Sequence, residues 1–233
     1  MSRSARWTAV VLIVFVALAV ALWREIGTDR TAAPGSTEEA PTARDHRDAD
    51  TPAALQGPRA AAGLPPCPGP GPNPQPGPPA LRGITLECAG DGELVDLAPA
   101  LAGRPVVLNL WAYWCGPCTD ELPAMAEYQR RMGTAVSVVT VHQDENESAG
   151  LMRMAELGVH LPMLQDGRRL VAAALKVPNV MPATVVLRAD GSVAEILPRP
   201  FAHADDIAAA GNPSIGGPGW GRLRPGINTA EKR

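Results

Sequence analysis

The chain of 233 residues has little of several things that would point to particular functions. Aromatic residues make up 4% of it, and its formal net charge at pH 7 is -3. Without a basic excess it lacks the electrostatic footprint of a nucleic-acid-binding protein, so we expect no nucleic-acid partner. Its four histidines are scattered, and a structural metal site needs three or four close ligands. The sequence therefore predicts neither a metal site nor a cofactor.

Residues 7–23 carry no charge and are almost wholly apolar. A helix of this length reaches about 25 Å, just enough to cross a thin bilayer. Arg3 and Arg6 precede the run, so the positive-inside rule keeps the N-terminus cytoplasmic. We therefore predict a cytoplasmic segment at 1–6, a single transmembrane anchor in the lipid bilayer at 7–23, and an extracytoplasmic remainder. A cleaved signal peptide is the alternative, because residues 17–21 resemble small-residue cleavage sites.

Residues 24–80 are rich in Pro, Ala, Thr and charged residues, with few large apolar side chains. Such a segment buries too little surface to offset its chain entropy, so we predict a disordered, Pro-rich spacer. Within it, residues 64–79 alternate Pro with small residues and favour an extended, polyproline-like chain. The Gly-rich residues 211–233 are predicted to form a flexible tail. This leaves 81–210 as one globular domain, because about 130 residues suffice for one core but not for two.

The order of elements within 81–210 predicts an α/β fold, with a mixed central sheet flanked by helices. Apolar runs at 106–111 and 135–141 favour buried strands. The first is followed by a segment with helical patterning at 119–132. Near the C-terminus, an Asp-Gly pair at 190–191 separates two β-branched runs and indicates a β-hairpin.

Two cysteines, Cys115 and Cys118, stand where the first of these strands meets its helix. The start of a helix offers unpaired N–H groups and a partial positive charge, which favour a thiolate at Cys115. A lowered pKa makes Cys115 the attacking sulfur, and Cys118 is near enough to close a small disulfide ring and release a mixed-disulfide partner. Trp114 is expected to shield one side of the pair, and Pro117 to preset the first helical turn.

The other two cysteines, Cys67 and Cys88, flank the end of the spacer and the first strand-like piece. In an exported domain they invite a structural disulfide. Closing a loop of about 20 residues stabilises the fold by on the order of 3 kcal/mol in the entropic model. A second redox pair that relays electrons to Cys115 and Cys118, or a pair of free thiols, are the alternatives.

Three separated elements occur in the order typical of the thioredoxin superfamily: the Trp-Cys-Gly-Pro-Cys run at 114–118, Pro123, and Met181-Pro182 before a strand. The segment 81–210 resembles that superfamily. The resemblance implies a thioredoxin fold in which the bond before Pro182 is cis. It also implies that this backbone faces the cysteine pair and pairs with the substrate chain.

Two further residues resemble one branch of the superfamily. Asn109 stands in the buried strand where cytosolic thioredoxins usually have an acid, and Glu121 follows Cys118 in the form Cys-x-x-Cys-x-x-Glu-x-Pro. Both are similar to the membrane-anchored TlpA/ResA-like thiol–disulfide oxidoreductases. That resemblance implies that Glu121 tunes the thiol pKa values or shuttles a proton to Cys118. It also implies, as partners, exported protein thiols or disulfides, apocytochrome c among them, and a membrane electron donor or acceptor.

Gly-Pro between the cysteines resembles reducing thioredoxins, so we favour reduction of disulfides in exported proteins. An oxidase that runs the same chemistry in reverse is one alternative. A copper-handling binding module of thioredoxin fold is another, and a binding module with a purely structural cysteine pair is a third.

Overall fold

The computed structural model describes residues 50–71 and 76–215. The predicted anchor at 7–23 and the segment 1–6 lie outside these residues, as does most of the predicted tail. Within the described ranges, no helix combines the length and apolar character needed to cross a membrane.

The described part of the chain forms strands and helices in alternation, with one 3-10 turn at Pro79–Leu81 before the first strand. Its strands are β1 Thr85–Cys88, β2 Leu94–Asp96, β3 Val106–Trp111, β4 Ser137–His142, β5 Met163–Gln165, β6 Ala183–Leu187 and β7 Val193–Leu197. Its helices are α1 Pro52–Ala62, α2 Leu97–Ala100, α3 Gly116–Met132, α4 Glu147–Leu157, α5 Leu170–Ala174 and α6 Ala204–Ile215.

The strands make one mixed sheet in the order β2-β1-β5-β4-β3-β6-β7. The pairs β3–β4 and β4–β5 are parallel, and the others are antiparallel. All six residues of β3 are buried, because helices cover both faces of the sheet there. The predicted central strand, the mixed sheet and the flanking helices are thus confirmed.

Side chains of β3 alternate between two cores, as strand geometry requires. Val107 and Trp111 join the core formed with α1, α3, α4 and α6. Leu108 and Leu110 join the opposite core, which includes residues of α2 and α5. The predicted hairpin between β6 and β7 is also confirmed, with Gly191 at φ 80° in its turn.

The prediction of a disordered spacer at 24–80 is wrong for its described residues. Helix α1 begins after Thr51, whose Oγ1 accepts from Ala54 N at 3.3 Å, and ends at Gly63 in the left-handed conformation. Leu55 and Ala62 are buried in the same core as residues of α4. Composition alone does not predict this helix, because its few apolar residues become sufficient only when a neighbouring helix supplies the rest of the buried surface.

A disulfide joins Cys67 to Cys88, with 5.8 Å between their Cα atoms. It ties the chain that follows α1 to the end of β1. The folded domain therefore includes residues 50–71, upstream of the predicted boundary at 81. At the other end, α6 continues to the buried Ile215, so the predicted flexible tail is wrong for residues 211–215.

Candidate active site

The cysteine pair lies at the N-terminus of α3, which begins at Gly116 and so starts three residues before the predicted 119. Cys115 is the N-cap residue, and its carbonyl oxygen accepts from Cys118 N and Thr119 N, each at 3.1 Å. Pro117 fits this first turn because no intrahelical partner is needed for its missing N–H. A disulfide joins Cys115 to Cys118, with 5.2 Å between their Cα atoms.

The two sulfur-bearing residues differ in their access to solvent. Cys115 is 7% exposed, whereas Cys118, in the first turn of α3, is fully buried. Trp114, beside Cys115, is 58% exposed, and its Nε1 donates to Asp144 Oδ2 at 2.8 Å. Only Cys115 of the pair therefore offers an accessible surface for an attacking or attacked sulfur.

The Met181–Pro182 peptide bond is cis, as the resemblance to the thioredoxin superfamily implies. It immediately precedes β6, whose first residue Ala183 lies opposite Leu110 near the end of β3. Because the chain runs from the end of β3 into the cysteine turn, this register brings Pro182 and the turn to the same edge of the sheet. Pro182 is buried and Met181 is half-buried.

Glu121 is a fully buried carboxyl one helical turn after Cys118. Its Oε2 accepts from Asn109 Nδ2 at 2.8 Å, and its Oε1 accepts from Phe201 N at 3.1 Å. Burial raises the pKa of Glu121 to about 7, against the opposing effect of these two hydrogen bonds and of the positive charge of Arg199. A proton-exchanging group with a near-neutral pKa thus lies on the helix that carries both cysteines.

Some parts of this site have no signal in the sequence. Asn109 is the exception, because it interrupts an apolar run in the sequence, and the structure places it against Glu121. Phe201 contributes only its backbone N–H, and Arg199 lies with Cζ 4.3 Å from the Phe201 ring centroid. Asp144 is far from Trp114 in the chain. Only the fold brings such residues together.

His142 lies at the end of β4 and belongs to the interior beside the site. It is fully buried, with its ring 5.0 Å from that of Trp111 and its Nδ1 2.9 Å from Gln165 Oε1. Burial lowers its pKa. Across residues 50–71 and 76–215, no group of three or more His, Cys, Asp or Glu side chains is placed to hold a metal ion.

The solved structures most useful for comparison share the fold. A secreted thiol-disulfide isomerase from Corynebacterium glutamicum matches with a TM-score of 0.52 at 22% identity, over 58% of this chain and 84% of that one. A thiol:disulfide interchange protein of the thioredoxin family from Chlorobium tepidum TLS matches with a TM-score of 0.51 at 22% identity, over 62% of this chain and 98% of that one. Both support a thioredoxin-like α/β domain.

Sequence comparison agrees with the fold. Thiol-disulfide oxidoreductase ResA of Bacillus subtilis is 32% identical over 108 residues, which are 46% of this chain and 59% of that protein. ResA of Oceanobacillus iheyensis is 32% identical over 132 residues, 52% of this chain and 66% of that protein. The chain thus spans less than two thirds of the length of either relative. The Redoxin family model matches residues 75–210. The chain therefore belongs to the Redoxin family, and its domain is a ResA-like member of the thioredoxin superfamily.

Proposed function

We propose that the chain is a thiol–disulfide oxidoreductase that acts on exported proteins, chiefly by reducing their disulfides. The observation that carries the proposal is the bonded pair at the N-terminus of α3, in which Cys115 is 7% exposed and Cys118 is fully buried. The ResA relatives, named as thiol-disulfide oxidoreductases, support the same reaction class.

The reaction starts from the reduced pair. A dithiol donor reduces the Cys115–Cys118 disulfide and is itself oxidised to a disulfide. The Cys115 thiolate attacks one sulfur of a substrate disulfide, and the first substrate thiolate leaves. The Cys118 thiolate then attacks Cys115 Sγ, which restores the internal disulfide and releases the second substrate thiolate. Two electrons pass from the dithiol to the substrate, and each substrate thiolate takes up one proton.

The helix start stabilises the attacking form of Cys115, since α3 directs its first N–H groups towards the N-cap position. The resolving step needs a base because Cys118 is buried and must lose a proton before it attacks. We assign this role to Glu121, which is also buried and lies one turn along α3 from Cys118. Its pKa of about 7 lets it hold or accept a proton near neutral pH.

Trp114 and the cis Met181–Pro182 bond complete the proposed site. The exposed indole would contact the substrate protein beside Cys115. The backbone before β6 would pair with an extended substrate segment, as the family resemblance implies. A single-pass anchor at 7–23 would hold the domain on the outer face of the cell membrane, with electrons supplied by a membrane partner. Apocytochrome c is one exported substrate with suitable cysteines.

The test is to trap the intermediate in the full-length chain. Cys118→Ser cannot resolve a mixed disulfide, so incubating the reduced variant with insulin whose disulfides are intact should give a covalent adduct that dithiothreitol removes. The matched control, Cys115→Ser with Cys118→Ser, should give none. If the control forms the adduct as readily, attack comes from Cys67 or Cys88 and the proposal is wrong. If neither protein forms it, the reductase assignment fails.

A further inference from the structure

Asp50, just before α1, hydrogen-bonds to the start of α4, beside a loop that contacts the active site. We infer that Asp50 is a positioning residue, which fixes the start of α4 and the preceding loop 143–146, and through that loop the Trp114 indole beside Cys115. The inference rests on the proposed function, since it concerns how the cysteine pair is presented to a protein substrate. Asp50 lies in the segment that the sequence predicted to be a spacer.

Helix α1 is held in place by more than its apolar face. Arg59 Nη2 forms ion pairs with Glu87 and with Glu147 Oε1, the second at 3.1 Å. Arg59 Nε also donates to Ala89 O at 3.1 Å. The side chains of Arg59 and Glu147 are 14% and 5% exposed, so water screens the pair weakly. Asp50 immediately precedes Thr51, the N-cap residue of α1, so the docking of α1 sets its position.

The Asp50 carboxylate binds the start of α4. Its Oδ2 accepts from Glu147 N at 2.8 Å, and its Oδ1 accepts from Ser148 N at 3.1 Å. The helix has its own cap as well, since Asn146 Oδ1 accepts from Ala149 N at 2.9 Å. Three N–H groups of the first turn thus have acceptors, and Asp50, far away in sequence, accepts from two of them. Glu147 N also donates to Glu145 O at 3.1 Å, so Asp50 is the acceptor of Ser148 N and one of two for Glu147 N.

The same loop carries the acceptor of the Trp114 indole. Asp144 Oδ1 accepts from Asn146 N at 2.9 Å, and Asp144 Oδ2 accepts from Trp114 Nε1 at 2.8 Å. Gln165 Nε2 donates to Asp144 O at 2.6 Å. Asp144 is three residues before Glu147, where Asp50 binds. A displacement of the backbone at 147–148 would therefore move the carboxylate that holds Trp114.

Packing alone does not fix Trp114, because 58% of it is exposed. Its orientation depends on the hydrogen bond to Asp144, and Asp50 supports the loop that supplies this acceptor. Losing one or both of the hydrogen bonds from Asp50 to residues 147 and 148 should leave the chemistry at Cys115 intact, since these bonds involve neither Cys115 nor Cys118. The loss should weaken contacts with a large substrate, which appears as a higher KM with an unchanged kcat.

The experiment compares Asp50→Ala, Asp50→Asn and Gln56→Ala in the full-length chain. Gln56 is exposed on α1 and serves as the matched control. For insulin with its disulfides intact, we expect Asp50→Ala to raise KM by about three- to tenfold, the range expected for a lost hydrogen bond. Asp50→Asn, which keeps one acceptor oxygen, should show a smaller rise. The rate with the small disulfide 5,5′-dithiobis(2-nitrobenzoate) should stay within about twofold of wild type, because this reagent needs no Trp114 contact.

Iodide quenching of Trp114 fluorescence gives a readout that needs no activity. The Trp114 fluorescence is the difference between each protein and the same protein carrying Trp114→Phe. Its quenching by iodide should increase in Asp50→Ala but not in Gln56→Ala. An unchanged KM and unchanged quenching would overturn the inference, as would an equal loss of rate with both disulfides. If wild type reduces neither disulfide, the proposed function fails, while the quenching comparison still decides the role of Asp50. If Asp50→Ala does not fold, KM and iodide quenching are compared between Asp50→Asn and Gln56→Ala instead.

Discussion

Replacing Cys115 by Ser is expected to lower kcat/KM for insulin reduction on the order of a thousandfold or more. A hydroxyl oxygen is not ionised near neutral pH and cannot form the mixed disulfide through which electrons pass. Serine differs from cysteine only in carrying oxygen in place of sulfur, so the fold should tolerate the change at this 7% exposed residue. The measurement is the rate of insulin reduction by the full-length chain, with dithiothreitol as the donor.

The chain provides its own control in the second disulfide. Cys67→Ser with Cys88→Ser removes the bond that ties the segment after α1 to β1, but leaves Cys115 and Cys118 as they are. This double variant should lose stability and keep insulin reduction within about tenfold of wild type at a temperature where it stays folded. If it loses activity as completely as Cys115→Ser, the second pair takes part in electron transfer and its structural assignment is wrong.

The elements predicted correctly from the sequence are those specified by their own residues and immediate neighbours in the chain. The apolar run of β3 and the Asp-Gly turn between β6 and β7 need no knowledge of the rest of the chain. The predicted start of α3 at 119 is three residues late, because the structure includes Gly116 and Pro117 in the first turn, where both residues are tolerated.

Helix α1 could not be predicted because its stability comes from elsewhere in the chain. Its composition gives no long apolar face, yet Leu55 and Ala62 pack into the core shared with α4. Arg59 finds its charge partners Glu87 and Glu147 on β1 and α4. The same limit applies to the site. The sequence predicts the cysteines, Pro182 and Glu121, while the partners Phe201, Arg199 and Asp144 depend on the fold.

Replacing Glu121 by Gln is expected to remove part of the pH dependence of stability of the oxidised protein. Burial raises the pKa of Glu121 from 4.5 to about 7, so the folded protein holds a proton that the unfolded chain has released between these values. The stability from this proton is present below about pH 4.5 and is lost as pH rises through about 7. One pKa unit corresponds to about 1.4 kcal/mol, so the loss amounts to about 3 kcal/mol.

Glutamine imitates the protonated carboxyl at every pH. Its Oε1 can still accept from Phe201 N, and its Nε2 can donate to Asn109 Oδ1 once the Asn109 amide turns over. That oxygen accepts no hydrogen bond from any residue that the structure describes. The variant should therefore fold well, and it should be more stable than wild type at pH 8, where the wild-type carboxylate is charged and buried.

The measurement is urea unfolding of the oxidised proteins at pH 5 and pH 8. Between these values Glu121→Gln should lose less stability than wild type, by about 3 kcal/mol at most. Glu147, whose pKa burial also raises to about 7, contributes its own loss to both proteins and cancels in the difference. Glu156→Gln, an exposed change on α4, should behave like wild type. If Glu121→Gln follows the wild-type pH dependence, Glu121 does not hold a proton in the folded domain. It would then be charged at neutral pH, and the proton step assigned to it for Cys118 would lack its physical basis.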